Sequence, residues 1–187
     1  MIILASNSPR RKELMKLLTE NYQVVPANID ETVLPNETPE VYAKRMSETK
    51  GRAILEQYPN DLILSADTIV VRNGRILGKP VNREEAKSML QSYSGATHEV
   101  LTIVTILSPT DKKTFIVGAS VSFYELTEEE IERYLSKDEW QDKAGAYGIQ
   151  GVAALFVKEI KGDFFTIVGF PVSRIYHELQ NFTVLEK

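Results

Sequence analysis

Residues 6–11 read SNSPRR, between the apolar opening MIIL and the segment KELMKLL. Ser8 followed by Pro9 is a helix-start signal, so Arg10 and Arg11 stand in the first turn. A helix start carries partial positive charge, and cations placed there are unfavourable on their own. The same start presents unpaired backbone N–H groups that suit phosphate. A guanidinium grips phosphate oxygens in pairs, and Ser6 and Ser8 add hydroxyl donors. A bound polyphosphate thus makes the placement favourable; the alternative is an exposed helix start whose arginines face water.

Three further stretches carry groups of matching chemistry. In LILSADTIVV, residues 62–71, Asp67 interrupts an apolar strand, where a carboxylate is costly without partners or a metal; the alternative is a strand break with Asp67 exposed. Asn73-Gly74 predicts a two-residue hairpin turn that sets Val71 opposite Ile76 and Thr68 opposite Lys79. Gly78 and Pro80 end the ladder and free Lys79 to turn, near the Asp67-Thr68 step. Lys50 falls by i+4 spacing on a helix stripe with Tyr42, Met46, Ala53 and Ile54, and either snorkels to solvent or meets an anion. Asp30 and Glu31 are a carboxylate pair suited to a hard metal, or two acids facing water. The stretch DKAGAYGIQG, residues 142–151, offers glycines for close backbone approach and, in Lys143 and Gln150, groups that could meet a ligand. A glutamine amide both donates and accepts, as reading a base edge requires; the alternative is a plain connecting loop. Neither a Walker A loop nor a G-x-G-x-x-G fingerprint is present.

The elements that must position these groups follow from local signals. Residues 2–5 predict a short buried strand, and a helix runs from Pro9 to about Thr19 with Leu14, Leu17 and Leu18 inward. Tyr22 to Ile29 is extended, and Thr38-Pro39 starts a long helix to about Tyr58. Asp61–Val71 and Arg75–Leu77 form the hairpin, then Asn82 opens a helix to about Tyr93. Strands His98–Leu107 and Lys113–Tyr124 follow, and Thr127 with Glu130 forms a capping box for a helix ending near Ser136. Strands Val152–Glu159 and Phe164–Val168 come next, and Pro171 starts the last helix, with Ile175 and Leu179 on one face. Interleaved helices and antiparallel hairpins predict an α/β fold: a mixed, partly antiparallel sheet flanked by helices.

Composition narrows the chemistry. A chain of 187 residues suits one domain or two closely associated lobes. The formal net charge of −4 disfavours broad binding to nucleic acid or to acidic membrane, so an anion must be caught by a local cluster. Cysteine is absent, which removes disulfides and thiolate chemistry. His98 and His177 are the only histidines and lie far apart, which argues against a multi-histidine zinc site. Hydrolysis would rest on carboxylates, lysines, hydroxyls and a hard metal. No apolar run approaches the roughly 20 residues that span a bilayer, and MIIL is too short for a signal peptide, so the cytoplasm is the expected location.

Together these stretches resemble the Maf family of nucleoside triphosphate pyrophosphatases, over essentially the whole chain and as a single domain, 1–187. LASNSPRRKELM looks like the family's N-terminal signature, and SADTIV, LGKP and SGATHEV recur in its order and spacing. DKAGAYGIQG resembles the branch acting on dTTP and UTP. The resemblance implies two lobes around a deep cleft, similar to inosine triphosphate pyrophosphatase, often as a homodimer. It implies hydrolysis of a nucleoside triphosphate to the monophosphate and pyrophosphate with a divalent cation, Mg²⁺ or Mn²⁺, and no nucleic-acid or membrane partner. By position, Asp67 matches the family's proton acceptor, and Arg10, Thr68 and Gln150 match residues assigned to substrate selectivity. Ser8, Arg11, Glu31, Lys50 and Lys79 fall where the family lines its phosphate and metal site, with Glu31 and Asp67 at the metal. Two departures stand out: Thr102-Ile103 where Thr-Gly is common, and Thr166 where asparagine is usual. The rival readings are a 7-methyl-GTP or broad modified-nucleotide pyrophosphatase, a nucleotide-binding regulator of septum formation, and a nucleic-acid-binding module.

Overall fold

Four helix starts are set by one side chain each, and all four were readable as local signals. The computed structural model describes residues 1–182. Ser8 caps α1 (Pro9–Met15), Thr38 caps α2 (Pro39–Leu55), Asn82 caps α3 (Arg83–Tyr93) and Thr127 caps α4 (Glu128–Leu135), each by accepting a backbone N–H of the first turn. The Thr127/Glu130 capping box forms in both directions. The remaining helices are α5 (Phe164–Val168) and α6 (Val172–Leu179).

The strands are β1 (Ile2–Leu4), β2 (Tyr22–Val24), β3 (Leu62–Arg72), β4 (Arg75–Leu77), β5 (Thr97–Leu107), β6 (Lys112–Phe123) and β7 (Val157–Gly162). They join in one sheet of order β2-β1-β3-β5-β6-β7, with β4 paired to β3. β1 runs parallel to β2 and β3, whereas the β3–β4 and β6–β7 pairs are antiparallel. The sheet is therefore mixed, as the sequence predicts.

The chain divides into two compact units. The first comprises Met1–Asp67, Thr102–Val117 and Gly169–Lys187; the second comprises Thr68–Leu101 and Gly118–Val168. In the first, Ile3, Ala5, Ile54, Ile63 and Leu107 form a buried cluster with Val25 and Tyr58 packed against it. Burying each large aliphatic side chain stabilises the fold by about 1.5–3 kcal/mol. The second unit has an aromatic core in which Tyr93, Phe123, Tyr134, Tyr147 and Phe156 meet largely edge to face.

Local differences from the sequence prediction have physical causes. Helix α1 ends at Met15, which is fully buried, and Leu17, expected inward, is 67% exposed. The extended stretch after Asn21 pairs only over Tyr22–Val24. The β3–β4 ladder runs from Arg72↔Arg75 to Val70↔Leu77 and stops, so Val71 faces Ile76 as predicted but Thr68 is not paired with Lys79. Residues Val152–Phe156 form a 3₁₀ turn, and the strand starts only at Val157. The segment Phe164–Val168 is helix, not strand. Its aromatic and β-branched residues favour a strand, but the Asp163 carboxylate accepts from the N–H of Phe165 at 3.2 Å and of Thr166 at 2.9 Å. That cap fixes a helical turn where intrinsic preference is weak. Among the described residues, no helix is long and apolar enough to cross a membrane.

Candidate active site

Strand β3 leads through Ser65 and Ala66, both fully buried, to Asp67, whose side chain is only 13% exposed. Helix α2 brings Lys50 to it. The Lys50 Nζ donates to Asp67 Oδ1 at 2.7 Å and pairs with Glu31 Oε1 at 2.8 Å. Lys50 itself is 12% exposed, so it does not snorkel to solvent; its ammonium is held by two carboxylates of its own chain. Burial pushes the Asp67 carboxyl above the ordinary carboxylate range, while Lys50 and then Arg11 draw it back down.

Glu31 reaches this point because α2 holds its loop in two further places. The Tyr42 hydroxyl donates to the Glu31 carbonyl at 2.9 Å, and Arg45 donates to the Thr32 carbonyl at 2.9 Å. Arg45 also grips the Glu37 carboxylate in two-pronged fashion, at 2.5 and 2.6 Å. Burial, with Asp67 and Glu31 nearby, raises the Tyr42 phenol to about 12. Asp30 turns away from its neighbour: its carboxylate accepts from the Thr32 N–H at 2.9 Å and the Thr32 hydroxyl at 2.6 Å, closing the turn. The two acids of the pair therefore have different partners: Asp30 bonds Thr32 and Glu31 pairs with Lys50.

At the SNSPRR stretch, Arg11 and Arg10 play different parts. Arg11 donates from Nε to the Gly169 carbonyl at 2.8 Å and from Nη1 to the Ala66 carbonyl at 2.9 Å and Ser6 Oγ at 3.4 Å. Burial lowers its pKa, opposed by the nearby Asp67 charge. Ser8 Oγ accepts from the Arg11 N–H at 3.4 Å as the helix cap, and the Ser8 N–H donates to Ser6 Oγ at 3.2 Å. Arg10 is half-buried, and no hydrogen bond or ion pair holds it among the described residues. Ser6, Ser8, Arg11, Glu31, Lys50 and Asp67 thus lie in one connected set within the first unit.

Thr68, Lys79 and Gln150 belong to the second unit. Lys79 and Gln150 are exposed, and Thr68 is half-buried on β3. The Gly145 N–H donates to the Gly78 carbonyl at 2.9 Å, so the turn bearing Lys79 and the loop leading to Gln150 are bonded. Lys143 donates to the Glu139 carbonyl and so supports its own loop. Reading the sequence does not single out Tyr42 and Arg45, whose bonds hold the loop that carries Glu31. In the sequence Tyr42 reads as part of an inward stripe, and nothing in the spacing tells that it holds a loop 11 residues upstream.

The donor set fits a divalent cation. Two carboxylates converge on the single positive atom of Lys50, and no group of three or more His, Asp or Glu side chains stands ready for a metal among the described residues. Mg²⁺ is commonly held by one or two carboxylates together with substrate phosphates and water.

Comparison with known proteins identifies a family for the chain. The family described as "Maf-like protein" matches residues 1–182. A Geobacillus sp. protein named dTTP/UTP pyrophosphatase is 47% identical over 179 residues, 96% of this chain and 96% of its own length. Bacillus cereus and Bacillus anthracis proteins of the same name are 45% identical over 183 residues, 98% of this chain and 96% of theirs. Among solved structures, the Staphylococcus aureus Ham1 protein matches with a TM-score of 0.45 at 18% identity, over 65% of this chain and 71% of that one. Protein VC0702 from Vibrio cholerae matches with a TM-score of 0.45 at 12% identity, over 98% and 94%. The match along residues 1–182 and identities of 45–47% over nearly full length leave one conclusion: the chain belongs to the Maf family.

Proposed function

We propose that this chain is a nucleoside triphosphate pyrophosphatase that hydrolyses dTTP and UTP to the monophosphate and pyrophosphate, with residues 1–187 acting as one catalytic domain. The observation that carries the reading is the Glu31–Lys50–Asp67 node, in a chain whose relatives bear that activity in their names. Water attacks the α-phosphorus, a new P–O bond forms, and the bond to the bridging oxygen of the leaving pyrophosphate breaks. Asp67 orients the water and takes its proton. Arg10, Arg11, Lys50 and Lys79 neutralise the triphosphate and the departing pyrophosphate, and Ser8 donates to a phosphate oxygen. Reactions of this kind depend mainly on alignment and charge stabilisation. Glu31 and Asp67 would hold Mg²⁺ or Mn²⁺, which when bound supplies positive charge to the phosphate oxygens. Arg10, Thr68 and Gln150 select the base, with the Gln150 amide pairing to a pyrimidine edge. The same reading places the enzyme in the cytoplasm, as a homodimer, with no nucleic-acid or membrane partner.

A panel of triphosphates with pyrophosphate readout, run with and without Mg²⁺, tests this. The expected profile is release of pyrophosphate from dTTP and UTP well ahead of purine triphosphates. A preference for 7-methyl-GTP, equal rates on every base, or release of inorganic phosphate would each reject it.

A further inference from the structure

The loop that ends in Gln150 is fixed from within its own unit by a set of polar bonds in an otherwise aromatic core. The Tyr93 hydroxyl donates to the Gly145 carbonyl and the Tyr134 hydroxyl to the Ala146 carbonyl, each at 3.1 Å. The Tyr147 hydroxyl meets His98 Nε2 at 2.7 Å. Gly145 and Ala146 both have left-handed backbones, with φ of 70° and 65°. A side chain at 145 has no room, since a Cβ there would lie 2.7 Å from Val70 Cγ2 and 2.8 Å from the Tyr93 oxygen. An alanine held left-handed is strained, so these bonds keep a conformation that the chain alone would leave.

His98 is the costly member of the set. It is 2% exposed and packed against the rings of Tyr93, Phe123 and Tyr147, with centroids 4.2, 5.1 and 5.4 Å away. Its Nδ1 is buried without a hydrogen-bond partner among the described residues, a penalty that a phenyl ring would not incur. Burial, with Arg72 acting in the same sense, lowers its pKa to about 4, so the ring is neutral. What the imidazole adds over a phenyl is therefore its bond to Tyr147, three residues before Gln150.

Placement matters for a glutamine reader. Uracil and thymine offer a carbonyl oxygen beside an N–H, and cytosine offers the reverse pattern. A glutamine amide can flip to suit either, so selection depends on where its backbone stands. Resting on the function proposed above, we propose that His98 and Tyr147 are positioning residues for base selection: their shared hydrogen bond sets the backbone that presents Gln150.

The test measures kcat and KM for dTTP, UTP, dCTP and GTP in the wild-type chain, Tyr147→Phe, His98→Phe and the double variant. Tyr147→Phe removes one oxygen and keeps the packed ring, and thermal melting verifies that each variant folds. The expected result is a roughly tenfold fall in the dTTP to dCTP ratio of kcat/KM in each single variant, carried mainly by KM. The double variant should fall no further than either single one, because both lose the same bond. An unchanged ratio in Tyr147→Phe overturns the proposal, as does an equal fall on all four substrates, which would mark a purely structural role. A wild-type chain indifferent to the base overturns the parent reading and this proposal with it, and the wild-type profile tells the two failures apart.

Discussion

Asp67 is placed where burial opposes its ionisation and two cations favour it. A base works only when ionised, and a raised pKa moves the loss of that form to higher pH. The acidic limb of kcat/KM should therefore lie above the ordinary carboxylate range, which a pH–rate profile on dTTP reads directly. Lys50 is the largest influence holding the Asp67 pKa down, so Lys50→Met should move that limb to still higher pH. A limb that stays in place would exclude Asp67 as the titrating base. Asp67→Asn should lower kcat by about 10²-fold or more without lowering the melting temperature at neutral pH. The sign follows from linkage: with the folded-state pKa raised, the stability Asp67 contributes is full below its unfolded-state pKa. It is lost as the pH rises through the raised value, a loss that an amide escapes. A melting temperature well below wild type would mean that the ionised acid is needed by the fold. Asp67 was readable in the sequence because an acid in an apolar run is an anomaly that needs a partner. Which partner, seventeen residues away on a helix, was suggested by the stripe through Lys50 but not fixed by it.

At the scale of elements, α2 is a clamp as much as a core helix. One side buries Met46 and Ile54, while Tyr42, Arg45 and Lys50 hold the loop 30–37 and its Glu31 carboxylate. Arg45→Ala should free that loop and raise the Mn²⁺ concentration needed for half-maximal binding by roughly 10-fold, the lower end for a residue supporting a metal ligand. Direct Mn²⁺ titration checks it, and unchanged affinity would leave Arg45 a surface ion pair of little consequence. Helix starts and the Asn73-Gly74 turn were legible because each is decided within four residues. Helix α5 was misread because one carboxylate, Asp163, outweighs five residues of strand preference. The His98–Tyr147 bond joins positions 49 residues apart, and no local pattern announces it. In the sequence His98 reads as the first residue of a strand and as too distant from His177 for a shared metal site, and neither reading points to Tyr147.

Across the whole molecule, the chain passes between its two compact units four times, and neither unit is a continuous stretch. The mixed sheet was legible from alternating helix and strand signals; this partition was not, because it depends on which distant segments pack together. A fragment such as residues 118–168 lacks the Thr68–Leu101 half of its own unit and should not fold alone, which circular dichroism would show. If 1–187 is one cooperative domain, the fluorescence of Trp140, in the second unit, should melt together with the total helix signal. Two separate transitions would make the units independent and end the single-domain reading.

The ammonium of Lys50, set between Glu31 and Asp67, means that this fold carries its own counter-ion. Stripping divalent ions with a chelator should stop turnover while leaving the melting temperature and protease resistance as they were. An organism starved of magnesium would then keep an idle but intact enzyme, ready to resume as soon as the ion returned, with no new synthesis.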